Sequence, residues 1–237
     1  MSENVESFYD GFSATFVGDY VRGNRRCERQ HRFFSDAIPK TTTAVLVIGC
    51  GSGQGAHYIA TRVAKQANVL AIDISAENLR LARALFPHPR IEYRKVDVVA
   101  EHLEGVWDII AFPDVYEHIP RQMRTALHAK LDKLLAPRGR ILLTVPTPAG
   151  QAETVASGGK LQIVDEPVTL SDLTGMAGDV HAVVSYYAQV SIWRTNDYAY
   201  AVVERGSAMC RPVASADRIA LKGFPPKNPI ARTARAA

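Results

Sequence analysis

The sequence predicts an α/β fold: a doubly wound sheet of seven strands, mostly parallel with an antiparallel last strand, preceded by a helical amino-terminal cap. Three observations carry this. Short apolar runs alternate with runs of helical period from Thr43 to Val145, which is how a parallel sheet covered on both faces is written in sequence. The first apolar run, Val45-Leu46-Val47-Ile48, breaks into Gly49-Cys50-Gly51-Ser52-Gly53 before a helical pattern resumes from His57. That is a buried strand, a tight turn and a helix, with glycines where a side chain would block close approach of a ligand. Finally, two β-type segments, Ala182 to Trp193 and Asp197 to Val203, are separated only by Arg194-Thr195-Asn196, short enough for a hairpin.

Each element follows from local chemistry. From Val5 to Ile38 the apolar positions Phe8, Tyr9, Phe12, Phe16, Tyr20 and Val21 recur at intervals that suit short amphipathic helices, followed by Arg22, Arg25, Arg26 and Arg29. This cap, residues 1–40, reads either as a packed lid with its arginines in water or as a cover whose Tyr9, Tyr20 or one arginine closes over a small molecule. A main domain over 41–204 follows. Thr43 to Ile48 is its first strand, and Ile59 with Val63 marks the inner face of its first helix. Val69 to Ile72 is a second strand ending at Asp73; Ser75 caps a helix carrying Leu79, Ala82 and Phe86, and Pro87 stops it. Ile91 to Lys95 is a third strand ending near Asp97, and Trp107 to Phe112 a fourth. Pro120 opens a helix with Met123, Leu127, Leu131 and Leu134 on one side, Pro137-Arg138-Gly139 ends it, and Gly139 to Val145 is a fifth strand. Thr147 to Pro167, rich in small residues, reads as a long loop; with a short helix at Leu170 to Met176 it makes an insertion over 147–178.

Composition bounds the class. A chain of 237 residues, 47% hydrophobic and 22% charged, has the size of one α/β domain with additions. The net charge of +4 is concentrated in a carboxy-terminal extension over 205–237, where Arg205, Arg211, Arg218, Lys222, Lys227, Arg232 and Arg235 face Asp217 as the nearby acid. Phe224 is the aromatic residue there, so stacking on nucleic-acid bases has little to work with. Cys27, Cys50 and Cys210 have no paired or metal-type spacing, which suits a reducing cytoplasm. Glu3 and Glu6 stand where a signal peptide needs basic residues, and no apolar run is long enough to span a bilayer. A cytoplasmic protein with no nucleic-acid or membrane partner is expected.

Right-handed crossovers place the carboxyl ends of parallel strands on one rim, and ligands bind there where the strand order reverses. The glycine loop, Asp73 and Asp97 fall at that rim. An acid ending the second strand can accept hydrogen bonds from ribose hydroxyls, and one ending the third from an adenine amino group. Two adenosine cofactors compete. Gly51-Ser52-Gly53-Gln54-Gly55-Ala56 also fits the glycine pattern of nicotinamide enzymes, so an NAD(P)-dependent oxidoreductase is an alternative, but no catalytic constellation for it follows the nucleotide half.

The succession VLVIGCGSG, AIDIS, KVDVV, WDIIAFPDVYEHI and LLAPRGRILLTVP resembles the ordered motifs of class I S-adenosylmethionine-dependent methyltransferases, from about Thr43 to Pro146. The resemblance implies a Rossmann-like fold and S-adenosyl-L-methionine as cofactor, with S-adenosyl-L-homocysteine as product. It implies that Gly49, Cys50, Gly51 and Gly53 contact the methionine part, Asp73 the ribose, Ile74 the adenine face, and Asp97 with Val98 the adenine edge. Phe112 and Pro113 would lie beside the reacting sulfonium, and Tyr9 and Tyr20 would close the cofactor site. Val47 departs from the family, which often has an acid there; either cofactor affinity is weak or the amino-terminal segment compensates.

Methyl transfer needs collinear positioning above all, and a hydroxyl acceptor also needs a base. Asp114, Glu117 and His118 would share one face of a helix starting after the fourth strand. Their D-x-x-E-H spacing resembles the E-x-x-E-H of ubiquinone-biosynthesis O-methyltransferases, where such residues can hold a divalent cation; the alternative is an ordinary helix-start feature, and no metal is expected. His181 is a further candidate base. In this superfamily the acceptor pocket is built from the amino-terminal helices and the insertion before the sixth strand. Here these are Phe8 to Arg26 and Leu161 to Met176, with Tyr186, Tyr187 and Trp193 beside them, an aromatic and largely apolar lining that favours a small organic acceptor. Oxygen is the expected acceptor atom, with nitrogen or carbon next. A repurposed, non-catalytic cofactor-binding protein is the other alternative, and the oligomeric state is left open, a homodimer included.

Overall fold

A computed structural model of the chain describes residues 3–206; of the basic extension expected over 205–237, the part from 207 lies outside the described residues. Arg205 is corrected, since its guanidinium donates to the Val180 and Leu135 carbonyls and to the Asp132 carboxylate. The elements are α1 (Glu3–Arg22), α2 (Arg25–Ala37), β1 (Ala44–Ile48), α3 (Gln54–Tyr58), β2 (Asn68–Asp73), α4 (Ala76–Leu85), β3 (Ile91–Lys95), β4 (Trp107–Pro113), α5 (Arg121–Leu134), β5 (Leu135–Pro146), α6 (Pro148–Ala156), α7 (Leu170–Asp179), β6 (Val183–Val190) and β7 (Tyr198–Glu204). They form one seven-stranded sheet in the order β3-β2-β1-β4-β5-β7-β6. The pairs from β3 to β5 are parallel, and β7 runs antiparallel to both neighbours. The doubly wound α/β expectation, with its antiparallel last strand, is borne out.

Strand alternation divides the core into two layers. Leu46, Ile48, Leu70, Ile72, Ile110 and Phe112 face a layer completed by α5 and α7, through Leu127, Leu131, Leu173 and Met176. Their chain neighbours Val45, Val47, Val69, Ala71, Ile109 and Ala111 face the other way, onto α2, α3 and α4. Phe33 and Phe34 of α2 are buried in that second layer, each contributing about 1.5–3 kcal/mol of apolar burial. This plants α2 across the carboxyl rim.

Several local expectations are corrected. The first crossover helix begins at Gln54, directly after Gly53, and continues through one wide turn at Ile59–Val63 closed by the Ala64 amide on the Ile59 carbonyl at 2.8 Å. The expected loop from Thr147 contains α6, whose N-cap hydroxyl on Thr147 accepts from the Gly150 amide at 3.1 Å and whose first position is proline. Cap and proline together specify a helix start that small-residue composition concealed. β5 begins at Leu135 rather than Gly139, because Leu135 already pairs with Trp107. After β4 no helix starts at once: Asp114 takes a left-handed φ of 57°, a single 3₁₀ turn spans Tyr116–His118, and α5 begins beyond Pro120.

Candidate active site

The strand order reverses between β1 and β4, and a cavity of about 180 Å³ opens at their carboxyl ends. Its floor is the glycine turn. The Gly49 and Cys50 amides both donate to the Ile72 carbonyl, at 2.8 and 2.9 Å, which folds the turn back over β2. Gly49 has φ +70°, and a Cβ there would come within 2.2 Å of Val115 Cγ2; any other residue would be strained and would push β4's following turn into the cavity. Gly53, expected at the ligand, has a different task. A Cβ there would meet Ala82 Cβ and Tyr93 Oη at 2.9 Å, so this glycine lets α3 pack closely against α4 and β3.

Asp73, at the end of β2, lines the cavity and faces the glycine turn. Its Oδ2 accepts from the Gly51 amide at 2.8 Å, while Oδ1 accepts from the Ser75 amide at 2.9 Å and from Asn78 Nδ2 at 3.4 Å. Burial pushes its pKa above the ordinary aspartate range, with these donors pulling it back. Ile74, Val98, Pro113, Cys50, Gly49 and Gly51 also line the cavity. Phe112 does not: it is wholly buried in the core on the α5 side, one residue out of phase with Pro113. Nor does Asp97, whose Oδ1 accepts from the Val99 and Ala100 amides and shapes the turn that presents Val98.

The roof comes from the cap. Tyr9 of α1 lines the cavity with a buried hydroxyl that has no hydrogen-bond partner. Asn78 Oδ1 is a second orphaned polar atom on its wall. Tyr20 is corrected: it is half exposed and packs edge-on to Phe86, outside the cavity. From α2 come Arg26, Cys27, Gln30 and His31. Arg26 forms an ion pair with Asp114, which also accepts from Thr144 Oγ1 at 3.1 Å, and Gln30 donates to Thr144 at 2.8 Å. Val47 is sealed in the core, so the polar groups at this end of the cavity are supplied by α2. Sequence reading missed Gln30, Cys27 and His31. The signal was there in the spacing of Arg26, Gln30, Phe33, Phe34 and Ala37, a single helical stripe whose apolar end anchors on the sheet and whose polar end overhangs the rim.

A second chamber, about 460 Å³, adjoins the first and shares Arg26, Asp114, His118 and Gln162 with it. Phe8, Trp193 and Tyr198 give it apolar surface, but Glu117, Gln151, Asp165, Lys160 and Arg194 also line it. The expected largely apolar lining holds by surface, with these polar and charged side chains set into it. Tyr186 and Tyr187, on β6, are not among its walls.

The three residues of the D-x-x-E-H motif do not share a helix face. Asp114 is engaged by Arg26. Glu117 is buried, with Oε2 unpaired, and burial followed by the Asp114 charge holds its carboxyl well above the ordinary glutamate range. His118 Nδ1 lies 2.6 Å from the Val164 carbonyl and must donate to it, which leaves Nε2 as the lone-pair nitrogen, 3.7 Å from Glu117 Oε1. Burial lowers this histidine's pKa and favours the neutral ring. Among the described residues no three metal-type side chains converge to hold an ion. His181 is corrected outright. It precedes β6 at the opposite rim, largely exposed, with Nδ1 3.1 Å from Asp132 at the end of α5.

Comparison with known proteins agrees with this geometry. Residues 45–139 match the model of a methyltransferase domain family. No curated protein matches the chain. Among solved structures, an N-methyltransferase NodS from Bradyrhizobium japonicum in complex with S-adenosyl-L-homocysteine is 15% identical with a TM-score of 0.68, over 86% of this chain and 100% of that one. A TehB-like S-adenosylmethionine-dependent methyltransferase from Corynebacterium glutamicum is 14% identical with a TM-score of 0.63, over 84% of this chain and 98% of that one. The complex of DhpI with S-adenosyl-L-homocysteine is 17% identical with a TM-score of 0.63, over 86% of this chain and 97% of that one.

Proposed function

We propose that the chain is a class I S-adenosylmethionine-dependent methyltransferase, as the methyltransferase-domain match over residues 45–139 supports, and that it transfers a methyl group from S-adenosyl-L-methionine to a small organic molecule seated in the second chamber. One observation carries the reading: Asp73 is turned toward the glycine loop beside the β1/β4 crevice, and a second chamber of mixed apolar and polar lining adjoins it through shared walls. The first cavity suits an adenosyl group. Asp73 is an acceptor for ribose hydroxyls, Ile74 and Val98 offer apolar faces to a base, and the orphaned Tyr9 hydroxyl and Asn78 oxygen await polar partners.

The bound cofactor supplies an electrophilic methyl carbon on a sulfonium. The protein's share is positioning and proton handling. Asp114 and Arg26, fixed to each other, form the wall between the two cavities. His118 reaches both, with Nε2 free to take a proton from the acceptor. At about 180 Å³ the first cavity is smaller than the roughly 300 Å³ at which ligand pockets begin, so α1 and its Tyr9 must give way as the cofactor enters.

Calorimetry of the dialysed protein tests the reading. It should bind S-adenosyl-L-homocysteine and not NADH, and with methyl-labelled cofactor should label a small molecule in a metabolite extract. Binding of NADH alone would favour the oxidoreductase alternative. Cofactor binding with no label transferred to any extract component would favour a repurposed binder.

A further inference from the structure

The second chamber holds an unusual imbalance of hydrogen-bonding groups. Three acceptor oxygens on its lining residues are buried and have no donor: Glu117 Oε2, Gln151 Oε1 and Gln162 Oε1. The Gln151 assignment is fixed, because its Nε2 donates to the Asp165 carboxylate. Glu117 is 1% exposed and no protein donor reaches its second oxygen, and leaving such a buried group unpaired is costly.

Charge points the same way. Arg26 is committed to Asp114, and Arg194 directs its guanidinium to the hydroxyls of Thr154 and Ser157. Lys160 is exposed at the edge of the chamber. Asp197 is satisfied by the Ile192, Trp193 and Arg194 amides. Asp165 already accepts from Gln151 Nε2 and from the Gln162 amide, so what the interior keeps unpaired is the Glu117 carboxyl and two amide oxygens. A hydroxyl brings one donor to three orphaned acceptors. An ammonium group brings three N–H donors, and a positive charge that draws the Glu117 carboxyl to its ionised form.

We propose that this chamber is an ammonium site and that the methyl acceptor is a primary amine on an apolar or aromatic body, an inference that rests on the methyltransferase reading above and replaces oxygen with nitrogen as the acceptor atom. Glu117 is the recognition residue, with Gln151 and Gln162 completing the donor count and Phe8, Trp193 and Tyr198 receiving the body of the ligand. The substrate enters as R–NH3+, is held by Glu117, and gives one proton to the lone pair of His118 Nε2, 3.7 Å from Glu117 Oε1. The freed nitrogen lone pair forms the N–CH3 bond, the C–S electron pair passes to sulfur, and R–NH2+–CH3 leaves with S-adenosyl-L-homocysteine as co-product. The His118 proton then returns to solvent. Charge balances, because the positive charge lost by the sulfonium reappears on nitrogen, beside the carboxylates.

The test compares ligands of one skeleton with different heads. The full-length protein, saturated with S-adenosyl-L-homocysteine, is titrated calorimetrically with 2-phenylethylamine and with 2-phenylethanol, and the titrations are repeated on Glu117→Gln. The amine should bind about tenfold or more tightly than the alcohol, the preference expected of charge-assisted hydrogen bonds, and Glu117→Gln should erase that preference while its affinity for S-adenosyl-L-homocysteine stays the same. Equal or tighter binding of the alcohol, binding of neither, or a preference that survives in Glu117→Gln would overturn the amine assignment. The wild-type comparison decides on its own if the variant does not fold. Failure of the wild type to bind S-adenosyl-L-homocysteine would instead overturn the methyltransferase reading.

Discussion

Two buried carboxyls set the behaviour of this site at the level of single residues. Asp73 holds the Gly51 amide and presents its remaining acceptor capacity to the cavity. Asp73→Ala should weaken S-adenosyl-L-homocysteine binding by about 1–3 kcal/mol, the contribution of charged hydrogen bonds, measured calorimetrically; unchanged affinity would remove the ribose assignment. Glu117 carries the pH dependence. Its folded-state pKa is raised by burial, so the folded protein binds its proton more tightly than the unfolded chain. Stability from this group is complete below the ordinary glutamate value of about 4.3 and is lost as pH rises through the elevated folded value. Asp73, also raised, acts in the same sense. His118, whose pKa burial lowers, acts in the opposite sense toward acid pH, so the Glu117 share is read as a difference. In thermal melts from pH 5 to 8 the Tm of Glu117→Gln, which needs no deprotonation, should gain on that of the wild type as pH rises and exceed it at pH 8.

Between elements, the decisive joint is α2 against the end of β4. Phe33 and Phe34 seat the helix, and Arg26 ties its amino-terminal end to Asp114. Asp114 sits in a left-handed conformation that only a few non-glycine types tolerate, with its amide donating to the Thr144 carbonyl at 2.9 Å. Removing the guanidinium leaves a mostly buried carboxylate with only a hydroxyl and an amide. Arg26→Met should lower stability by about 3 kcal/mol, in the range for breaking a buried ion pair, read as a reduced midpoint in urea with an unchanged slope. A loss below about 0.5 kcal/mol, the worth of an exposed pair, would show that the joint is not held by charge.

Viewed whole, the molecule is a rigid sheet with a cap resting on the rim that holds the site. No described helix is long and apolar enough to cross a membrane. A ligand that touches both β1–β2 and the cap couples them. At a hundredfold excess over its Kd, S-adenosyl-L-homocysteine should stabilise the folded state by about 2.7 kcal/mol, which for a chain of this size is a Tm increase of about 5–10 °C. Hydrogen exchange should show the gain in protection concentrated in α1, the element that must lift to admit the cofactor. A uniform gain that spares α1 would contradict its role as the cover.

The alternation of apolar and helical runs was enough to determine the strands, their parallel course and the rim on which the site lies, because hydrophobic periodicity and crossover handedness are local properties of the chain. Gly49 and Asp73 were legible for the same reason, each sitting where a strand must end. The acceptor chamber was not legible. Glu117, Gln151, Gln162 and Asp165 come from the turn after β4, from α6 and from the segment after it, and nothing in their separate surroundings says that they meet. The tertiary structure also decided the phase of Phe112 against Pro113, the remoteness of His181, and the left-handed turn at Asp114 that dissolved the expected helix. These depend on contacts between segments far apart in sequence, where burial and the pairing of polar groups, rather than local preference, fix the outcome.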